Sequence, residues 1–245
     1  MISKLKKKFN IHYWLRKFYT TSFASKIFKK NKLREKVFNA IYKSKHWVQP
    51  NINLKKEQFS VSGHGSYLGT KQTENLISNL NNFINQFQIK SIIDVPCGDF
   101  LWMNRVISQN NNIKYLGLDI VSDLISENIT NYKNTNINFK ALDIFEEVKI
   151  FEDNIDLFFT RDFFIHCESN DIINLIKKLK KSNFKYFACE SYKIKNNTEV
   201  LTGKHRKINL LIEPYNLSNP IFEFQDHEQD KFICFFEIRK LLNIK

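Results

Sequence analysis

Carboxylates close several apolar stretches of this sequence. Asp94, Asp119 and Asp143 each end a run of large or β-branched apolar residues of the kind that forms a buried strand. The carboxyl ends of parallel strands meet at one edge of a sheet, so we expect the three side chains to lie close together. An acid at the tip of the second strand is placed to accept hydrogen bonds from ribose hydroxyls. The alternatives are a solvated turn aspartate for Asp119 and a helix- or turn-starting aspartate for Asp143.

A second group of candidates follows the fourth apolar stretch, residues 154–160. Asp162 and His166 are four positions apart, so they share one face if a helix has begun there. Both could take a proton from a substrate, and His166 is the better base near neutral pH. The alternatives are a packing role for His166, and a cap or a salt bridge with Arg161 for Asp162.

The elements that must position these residues are alternating strands and helices. Strands are predicted at 91–95, 114–120, 136–143, 154–160 and 184–190. Two more, 221–225 and 231–238, are joined by too few residues for a parallel crossover and must pair antiparallel. The predicted fold class is α/β: a Rossmann-like, doubly wound, mostly parallel seven-stranded sheet with a C-terminal antiparallel hairpin, plus a basic helical N-terminal extension.

The turn after the first strand has the composition of a ligand-binding corner. Pro96 ends strand pairing and Gly98 lets the backbone approach a ligand closely. The run Asp-Val-Pro-Cys-Gly-Asp-Phe, residues 94–100, resembles motif I of the class I S-adenosylmethionine (SAM) dependent methyltransferases. In that motif an acid precedes three spaced glycines, and here Pro96, Gly98 and Phe100 stand in the glycine positions. This residue sequence resembles one branch of the family, in which a proline and a bulky residue usually occupy the first and third of these positions.

The resemblance implies SAM as cofactor, S-adenosylhomocysteine (SAH) as product, and no metal. It places the cofactor's ribose at Asp119, its adenine against Ile120 and Ile144, and the adenine amino group at Asp143. The Ser62–Ser66 loop also resembles this branch and is expected to close over the methionine end, although an ordinary glycine turn is the alternative. The predicted cofactor-binding residues are Gly63, Gly65, Ser66, Asp94, Pro96, Cys97, Gly98, Asp119, Ile120, Asp143, Ile144 and Arg161.

The run Arg161-Asp-Phe-Phe-Ile-His166 resembles the fourth motif of the same branch, with Asp162 and His166 as the catalytic pair. The Asn/Asp-Pro-Pro-Tyr/Phe motif of methyltransferases that act on amino groups is missing there, which favours a hydroxyl or carboxyl acceptor on a small molecule, a glycan or a lipid-linked compound. The long segment 191–219 is interpreted as a loop over the acceptor. A non-catalytic SAM- or SAH-binding sensor or scaffold is the alternative function. The predicted substrate contacts are Trp102, Arg206, Asn209 and Tyr215.

The excess positive charge of the 245-residue chain is concentrated near its N-terminus. The net charge is +13, and residues 1–47 hold fourteen Lys and Arg against one acid, Glu35. Residues 1–50 are therefore interpreted as a basic amphipathic extension and residues 51–245 as the methyltransferase domain. Residues 1–47 are suited to peripheral contact with an anionic membrane at its inner surface. A helical arm packed on the core is the alternative, and nucleic-acid binding is disfavoured.

The cysteines and the hydropathy pattern bear on the compartment. The four cysteines are widely spaced and have no metal-ligand spacing, which predicts reduced thiols. The chain shows no signal peptide and no apolar run of the ~18 residues that a membrane-spanning helix requires. A cytoplasmic protein is expected.

Overall fold

A computed structural model describes residues 10–49, 54–226 and 229–241. Its centre is one seven-stranded sheet with the strand order β3-β2-β1-β4-β5-β7-β6. The first five strands run parallel, and β7 pairs antiparallel with both β5 and β6. The predicted fold class is therefore confirmed. The strands are β1 Ser91–Asp94, β2 Lys114–Asp119, β3 Ile137–Ala141, β4 Leu157–Phe159, β5 Tyr186–Tyr192, β6 Phe222–Gln225 and β7 Lys231–Glu237.

Seven α-helices surround or precede the sheet in the described residues: α1 Ile11–Tyr19, α2 Ser22–Ile27, α3 Lys30–Lys43, α4 Lys71–Gln86, α5 Met103–Gln109, α6 Ser122–Tyr132 and α7 Ser169–Lys181. The Thr70 side chain caps α4 by accepting a hydrogen bond from the Thr73 amide. Apolar residues at helical spacing bury one face of α4 and one face of α7 against the sheet.

Two apolar clusters cover the two faces of the sheet. One contains Ile172, Leu175 and Leu179 of α7, together with Phe158 and Phe187 of the strands. The other contains the inward faces of α4 and α5. The central strand β4 is buried along its whole length, as expected for a parallel strand covered on both sides. This packing fixes the strand tips, from which the candidate site is built.

The N-terminal helices pack on the rest of the chain. Val37, Phe38 and Ile41 of α3 form a third apolar cluster with Val121 and Leu124 at the start of α6. Residues 1–9 of the predicted basic extension lie outside the described residues. No helix among the described residues is long and apolar enough to cross a membrane.

Two local predictions are wrong. Strand β3 ends at Ala141, so Asp143 lies in the following turn and not at the strand end. Asp162 and His166 do not share a helical face, because only Phe164–His166 form a short 3-10 helix. Asp162 precedes that helix with a left-handed backbone, φ +54°.

Candidate functional site

A cavity of about 510 Å³ lies at the carboxyl edge of the parallel strands, within the range of ~300–1,000 Å³ typical of small-molecule sites. Its wall comes from the tips of β1, β2 and β4, the loop 62–66, helix α3 and the segment 203–205. In sheets of this kind the strand order reverses at the first strand, and ligands bind at that point. All twelve predicted cofactor-binding residues line this cavity.

The turn after β1 brings backbone into the cavity wall. Gly98 has φ +55°, and a Cβ built on it would lie 2.2 Å from the Ser62 hydroxyl oxygen, so only glycine fits. Phe100 occupies the third glycine position of the motif and also has a left-handed backbone, φ +58°. Its ring is buried against Tyr115 and Phe139 and does not enter the cavity. The bulky residue therefore leaves the corner open.

Asp119 is buried at the tip of β2 and holds the two sides of this corner together. Its Oδ2 accepts a hydrogen bond from the Gly98 amide at 3.1 Å, and its Oδ1 accepts one from the Val121 amide at 2.9 Å. Burial raises the pKa of Asp119 to about 6, against the effect of these amide donors. Each carboxylate oxygen keeps a second lone pair, which can accept a hydrogen bond from a ligand hydroxyl.

Asp94 lies beside it at the tip of β1. The Tyr115 hydroxyl donates to its Oδ2 at 2.7 Å. Burial raises the pKa of Asp94 to about 7, and the Tyr115 hydrogen bond opposes that rise. The carboxyl group can therefore act as a hydrogen-bond donor or acceptor near neutral pH.

The loop 60–66 is fastened to the β1 turn by a residue that sequence reasoning passed over. Asp99 accepts hydrogen bonds from the Ser60 hydroxyl at 2.9 Å and the Val61 amide at 2.8 Å. The Tyr42 hydroxyl lies 3.2 Å from that of Ser62. The position of Asp99 inside the motif, next to Gly98, was the signal that could have identified it. These contacts set Gly63, Gly65 and Ser66 in the cavity wall.

Asp143 is bound by Arg34 of helix α3. Its Oδ2 accepts a hydrogen bond from Arg34 Nε at 2.6 Å, and its Oδ1 accepts one from the Phe145 amide at 3.1 Å. Arg34 is itself buried and also binds Glu146 and Asp171. Asp143 and Ile144 both line the cavity, and a contact of Asp143 with an adenine amino group stays a prediction.

Four charged residues form a compact cluster behind the end of β4. Arg161 contacts Asp162 at 3.3 Å and Asp226 at 3.1 Å, and Lys231 contacts the same two carboxylates at 2.5 and 2.8 Å. Burial favours a higher pKa for Asp162, but the charges of Arg161 and Lys231 outweigh it and hold that pKa well below its usual range. Asp162 is therefore a weak proton acceptor.

His166 is the stronger candidate for a base. Its Nδ1 lies 2.8 Å from the Lys204 carbonyl oxygen, which can only accept, so Nδ1 carries the proton and Nε2 has a free lone pair. Burial lowers the pKa of His166 to about 4, with a smaller contribution from the nearby imidazoles of His205 and His46. The ring is packed at 5.3 Å from that of Trp47. His166 lines the cavity as a neutral imidazole.

Of the four predicted substrate contacts, only Trp102 lines the cavity. Arg206 is buried and donates to the carbonyl oxygens of Cys167 and Thr198 and to the Tyr215 hydroxyl. Tyr215 is fully buried and donates in turn to Ser169. Asn209 binds the backbone of the same segment. The prediction for Arg206, Asn209 and Tyr215 is wrong, because these side chains brace the loop from within.

The segment 193–221, all of it described, contains no helix or strand, as predicted for a covering loop. Its contribution to the cavity wall is Gly203, Lys204 and His205. These three residues directly precede Arg206, which the sequence singled out. Further cavity residues that sequence reasoning did not assign to the site are Arg16, Arg34, Phe38, Tyr42, His46, Trp47, Gln72, Phe145, Tyr192 and Lys231.

All four cysteines are buried free thiols, and Cys97 lines the cavity, where burial raises its pKa well above the usual range. Within the described ranges, no group of three His, Cys, Asp or Glu side chains is placed to hold a metal ion.

Comparison with known proteins gives likeness in structure only. No family model and no curated protein matches the chain. The methyltransferase domain of bacterial CtHen1-CN superposes with a TM-score of 0.53 at 12% identity, covering 68% of this chain and 100% of that one. Human N-acetylserotonin methyltransferase in complex with SAM gives 0.52 at 10% identity, covering 89% and 59% of the two chains. PigF with SAH gives 0.50 at 10% identity, covering 66% and 54%.

These likenesses establish the fold. The chain has the Rossmann-like fold of SAM-dependent methyltransferases, with the mostly parallel sheet and the C-terminal antiparallel pair.

Proposed function

We propose that this chain is a class I SAM-dependent methyltransferase that transfers a methyl group to an oxygen of a small-molecule, glycan or lipid-linked acceptor. The observation that carries the proposal is one cavity that contains both the Gly98–Asp119 corner and a neutral His166. The corner accepts the nucleoside part of a cofactor, and His166 can accept a proton beside it. The solved structures with SAM and SAH that share this fold support the choice of cofactor.

The residues present fit SAM. Gly98 leaves backbone in contact with the cavity at a point that a Cβ would fill, and Asp119 offers two buried carboxylate oxygens to the ribose hydroxyls. Arg161 lines the cavity, and its buried Nε has no hydrogen-bond partner among the described residues. A ligand carboxylate, such as that of the methionine part, would satisfy this donor. We call the wall formed by residues 94–99, 119–120 and 143–145 the cofactor half.

The acceptor half is the wall formed by His46, Trp47, His166 and residues 203–205. There, His166 Nε2 takes the proton of the acceptor hydroxyl, or of a carboxyl acceptor that enters in its protonated form. When SAM is bound it supplies the methyl group, and the sulfur leaves with the electron pair of the broken carbon–sulfur bond as SAH. The oxygen's lone pair forms the new carbon–oxygen bond. The Lys204 carbonyl keeps Nδ1 protonated, so His166 presents the correct nitrogen throughout.

Isothermal titration of the full chain with SAM and SAH tests the first half of the proposal. We expect binding of both, and no heat at millimolar ligand would contradict it. Turnover then separates an enzyme from the alternative, a non-catalytic SAM or SAH sensor. A His166→Ala variant that keeps SAH affinity but loses SAH formation with an acceptor found by screening supports the enzyme. SAM binding without turnover of any hydroxyl or carboxyl compound would favour the sensor.

We further propose that α1 and α2 attach the protein peripherally to an anionic bilayer at the cytoplasmic face. Large apolar side chains are exposed on these two short helices, with Ile11 66%, Trp14 51% and Phe23 62% accessible, and Phe18 and Ile27 beside them. Ile11, Trp14 and Phe18 lie on one face of α1. The first acid of the chain is Glu35, so cations alone accompany these side chains. Apolar groups beside uncompensated cations match an anionic lipid surface.

Co-sedimentation with vesicles tests the attachment. The full chain should sediment with vesicles containing phosphatidylserine and stay in solution with pure phosphatidylcholine. Trp14→Asp/Phe23→Asp should abolish sedimentation. Val148→Asp is the matched control, because Val148 is 62% exposed but lies far along the chain from α1. Equal sedimentation of both variants would contradict the proposal.

A further inference from the structure

The exposed part of the cavity wall has an unusual composition. Four of the cavity-lining residues are exposed to solvent: His46, His64, Lys204 and His205. We call these four the rim. Every one carries a basic or imidazole side chain, while the aspartates of the cavity all lie deeper. A ligand entering the cavity therefore meets nitrogen donors first.

Cations deep in the cavity are neutralised. Arg34 is paired with three carboxylates, and Arg161 and Lys231 share Asp162 and Asp226. Because these cations are paired with carboxylates of the protein, their positive charge attracts an incoming anion only weakly.

Cations at the opening are not neutralised. Arg16 of α1 lines the cavity half-buried, and its Nε has no hydrogen-bond partner within the described part of the chain. Lys204 is exposed, and no acidic side chain of the described residues pairs with its Nζ. Two positive charges, those of Arg16 and Lys204, thus lie at this opening with no carboxylate of the described residues paired to them. A cleft lined by one sign of charge concentrates ligands of the opposite sign.

The rim lies directly against the proposed base. The ring of His205 is 5.7 Å from that of His166, and the Lys204 carbonyl holds His166 Nδ1. His46 is close enough to His166 for its charge to act on that imidazole. Trp47 packs on His166 and, through Gly63, against the loop that carries His64. A group bound at the rim therefore sits next to the atom that would take the acceptor's proton.

We propose that the methyl acceptor carries an oxyanion, a phosphate or a carboxylate, that Lys204, Arg16 and the rim imidazoles bind while a neighbouring oxygen is presented to His166. This inference rests on the proposed function and names its substrate class. Guanidinium, ammonium and imidazole groups bind such oxyanions through charge-assisted hydrogen bonds. The cofactor's own carboxylate is assigned to the buried Nε of Arg161 and not to these residues.

The experiment uses the full chain saturated with SAH, titrated with sodium phosphate and, separately, with sodium acetate in a buffer free of both ions. We expect the unmodified chain to bind at least one of them. Lys204→Gln/His205→Gln should bind it about tenfold more weakly, the loss expected for one charge-assisted hydrogen bond. Lys177→Gln/Lys181→Gln removes two exposed cations from α7, away from the cavity, and should leave the affinity unchanged.

The outcomes separate this inference from the proposed function. SAH affinity is measured first: a chain that does not bind SAH contradicts the function, whatever the anions do. A chain that binds SAH but neither anion, or whose two double variants weaken anion binding equally, overturns the inference and leaves the function standing. Tighter binding of phosphate than acetate assigns a phosphorylated acceptor, and the reverse order a carboxylated one. Displacement of the bound anion by vesicles of phosphatidic acid, in the unmodified chain and in Trp14→Asp/Phe23→Asp alike, assigns a lipid-borne group, and no displacement assigns a soluble one.

Discussion

The two halves of the cavity are built in different ways. The cofactor half comes from a few positions at the tips of β1 and β2 and in the turn after β3, and one backbone amide donates to each oxygen of its central carboxylate, Asp119. The acceptor half is assembled from His46 and Trp47 after α3, from His166 in the 3-10 helix after β4, and from the segment 203–205, which lie far apart in the sequence. A local strand–turn unit is therefore sufficient to bind a nucleoside. A particular acceptor requires side chains that only tertiary packing brings together.

Charge follows the same division. Carboxylates of the inner wall are each matched by amides, a tyrosine hydroxyl or a buried cation. Lys204 and Arg16 have no carboxylate partner among the described residues. Paired charges stabilise one geometry, whereas unpaired donors at an opening are available to a ligand. If the two halves act independently, a substitution in one half should leave the property that depends on the other half unchanged.

The largest effect is expected from the acceptor half. His166→Gln removes the neutral imidazole that would take the proton, and general-base catalysis contributes typically about 10²–10⁴-fold. Turnover should therefore fall about 10³-fold at saturating SAM, while SAH affinity measured by titration stays unchanged. His12→Gln, on α1 and outside the cavity wall, is the control. Equal loss of SAH affinity and of turnover would show that the halves do not separate.

The next effect concerns the contact between helix α3 and the cofactor half. Arg34→Met leaves Asp143 buried beside the cavity without its guanidinium partner, and removing one partner of a buried pair costs about 3 kcal/mol or more. We expect the free energy of unfolding, measured in urea, to fall by that amount. Lys32→Met on the same helix breaks only the exposed pair with Glu35 and should change stability by less than about 1 kcal/mol. Similar values for the two variants would refute the structural role of Arg34.

A smaller effect is expected in the cofactor half. Asp119→Asn keeps the shape of the side chain but loses the charge that strengthens hydrogen bonds to ribose hydroxyls, about 2 kcal/mol or about 30-fold in SAM affinity. Asp123→Asn makes the same change one turn further on, where the carboxylate is 70% exposed, and should have no effect. Once SAM is saturating, turnover of Asp119→Asn should return to that of the unmodified chain. A persistent turnover defect would place Asp119 in the chemistry.

The cofactor half could be predicted from the sequence more fully than the acceptor half. The strand before Asp94 is a short apolar run followed by Pro96 and Gly98, and the strand before Asp119 is also mostly apolar, so local pattern was enough to place the cofactor half. Arg206 and Tyr215 were misassigned because a sequence pattern does not show which side of a loop a side chain occupies. Arg34 was passed over because its partner Asp143 is 109 positions away. The rim was passed over because its residues come from three separate segments of the chain.

The smallest effect is expected in the dependence of the methyl-transfer rate on pH. This dependence distinguishes a buried His166 with a lowered pKa from a solvated histidine with an ordinary pKa. His166 acts as a base when neutral, and its pKa is lowered to about 4, so activity is present above that value and lost as the pH falls through it. At saturating SAM, about 90% of the plateau rate should remain at about pH 5, against about 3% for a histidine of ordinary pKa near 6.5. Asp162 faces the imidazole and acts to raise this pKa, while His205 and His46 lower it. Circular dichroism at the same pH values confirms that the chain stays folded, and a midpoint near pH 6.5 would mean that water reaches His166 in the working enzyme.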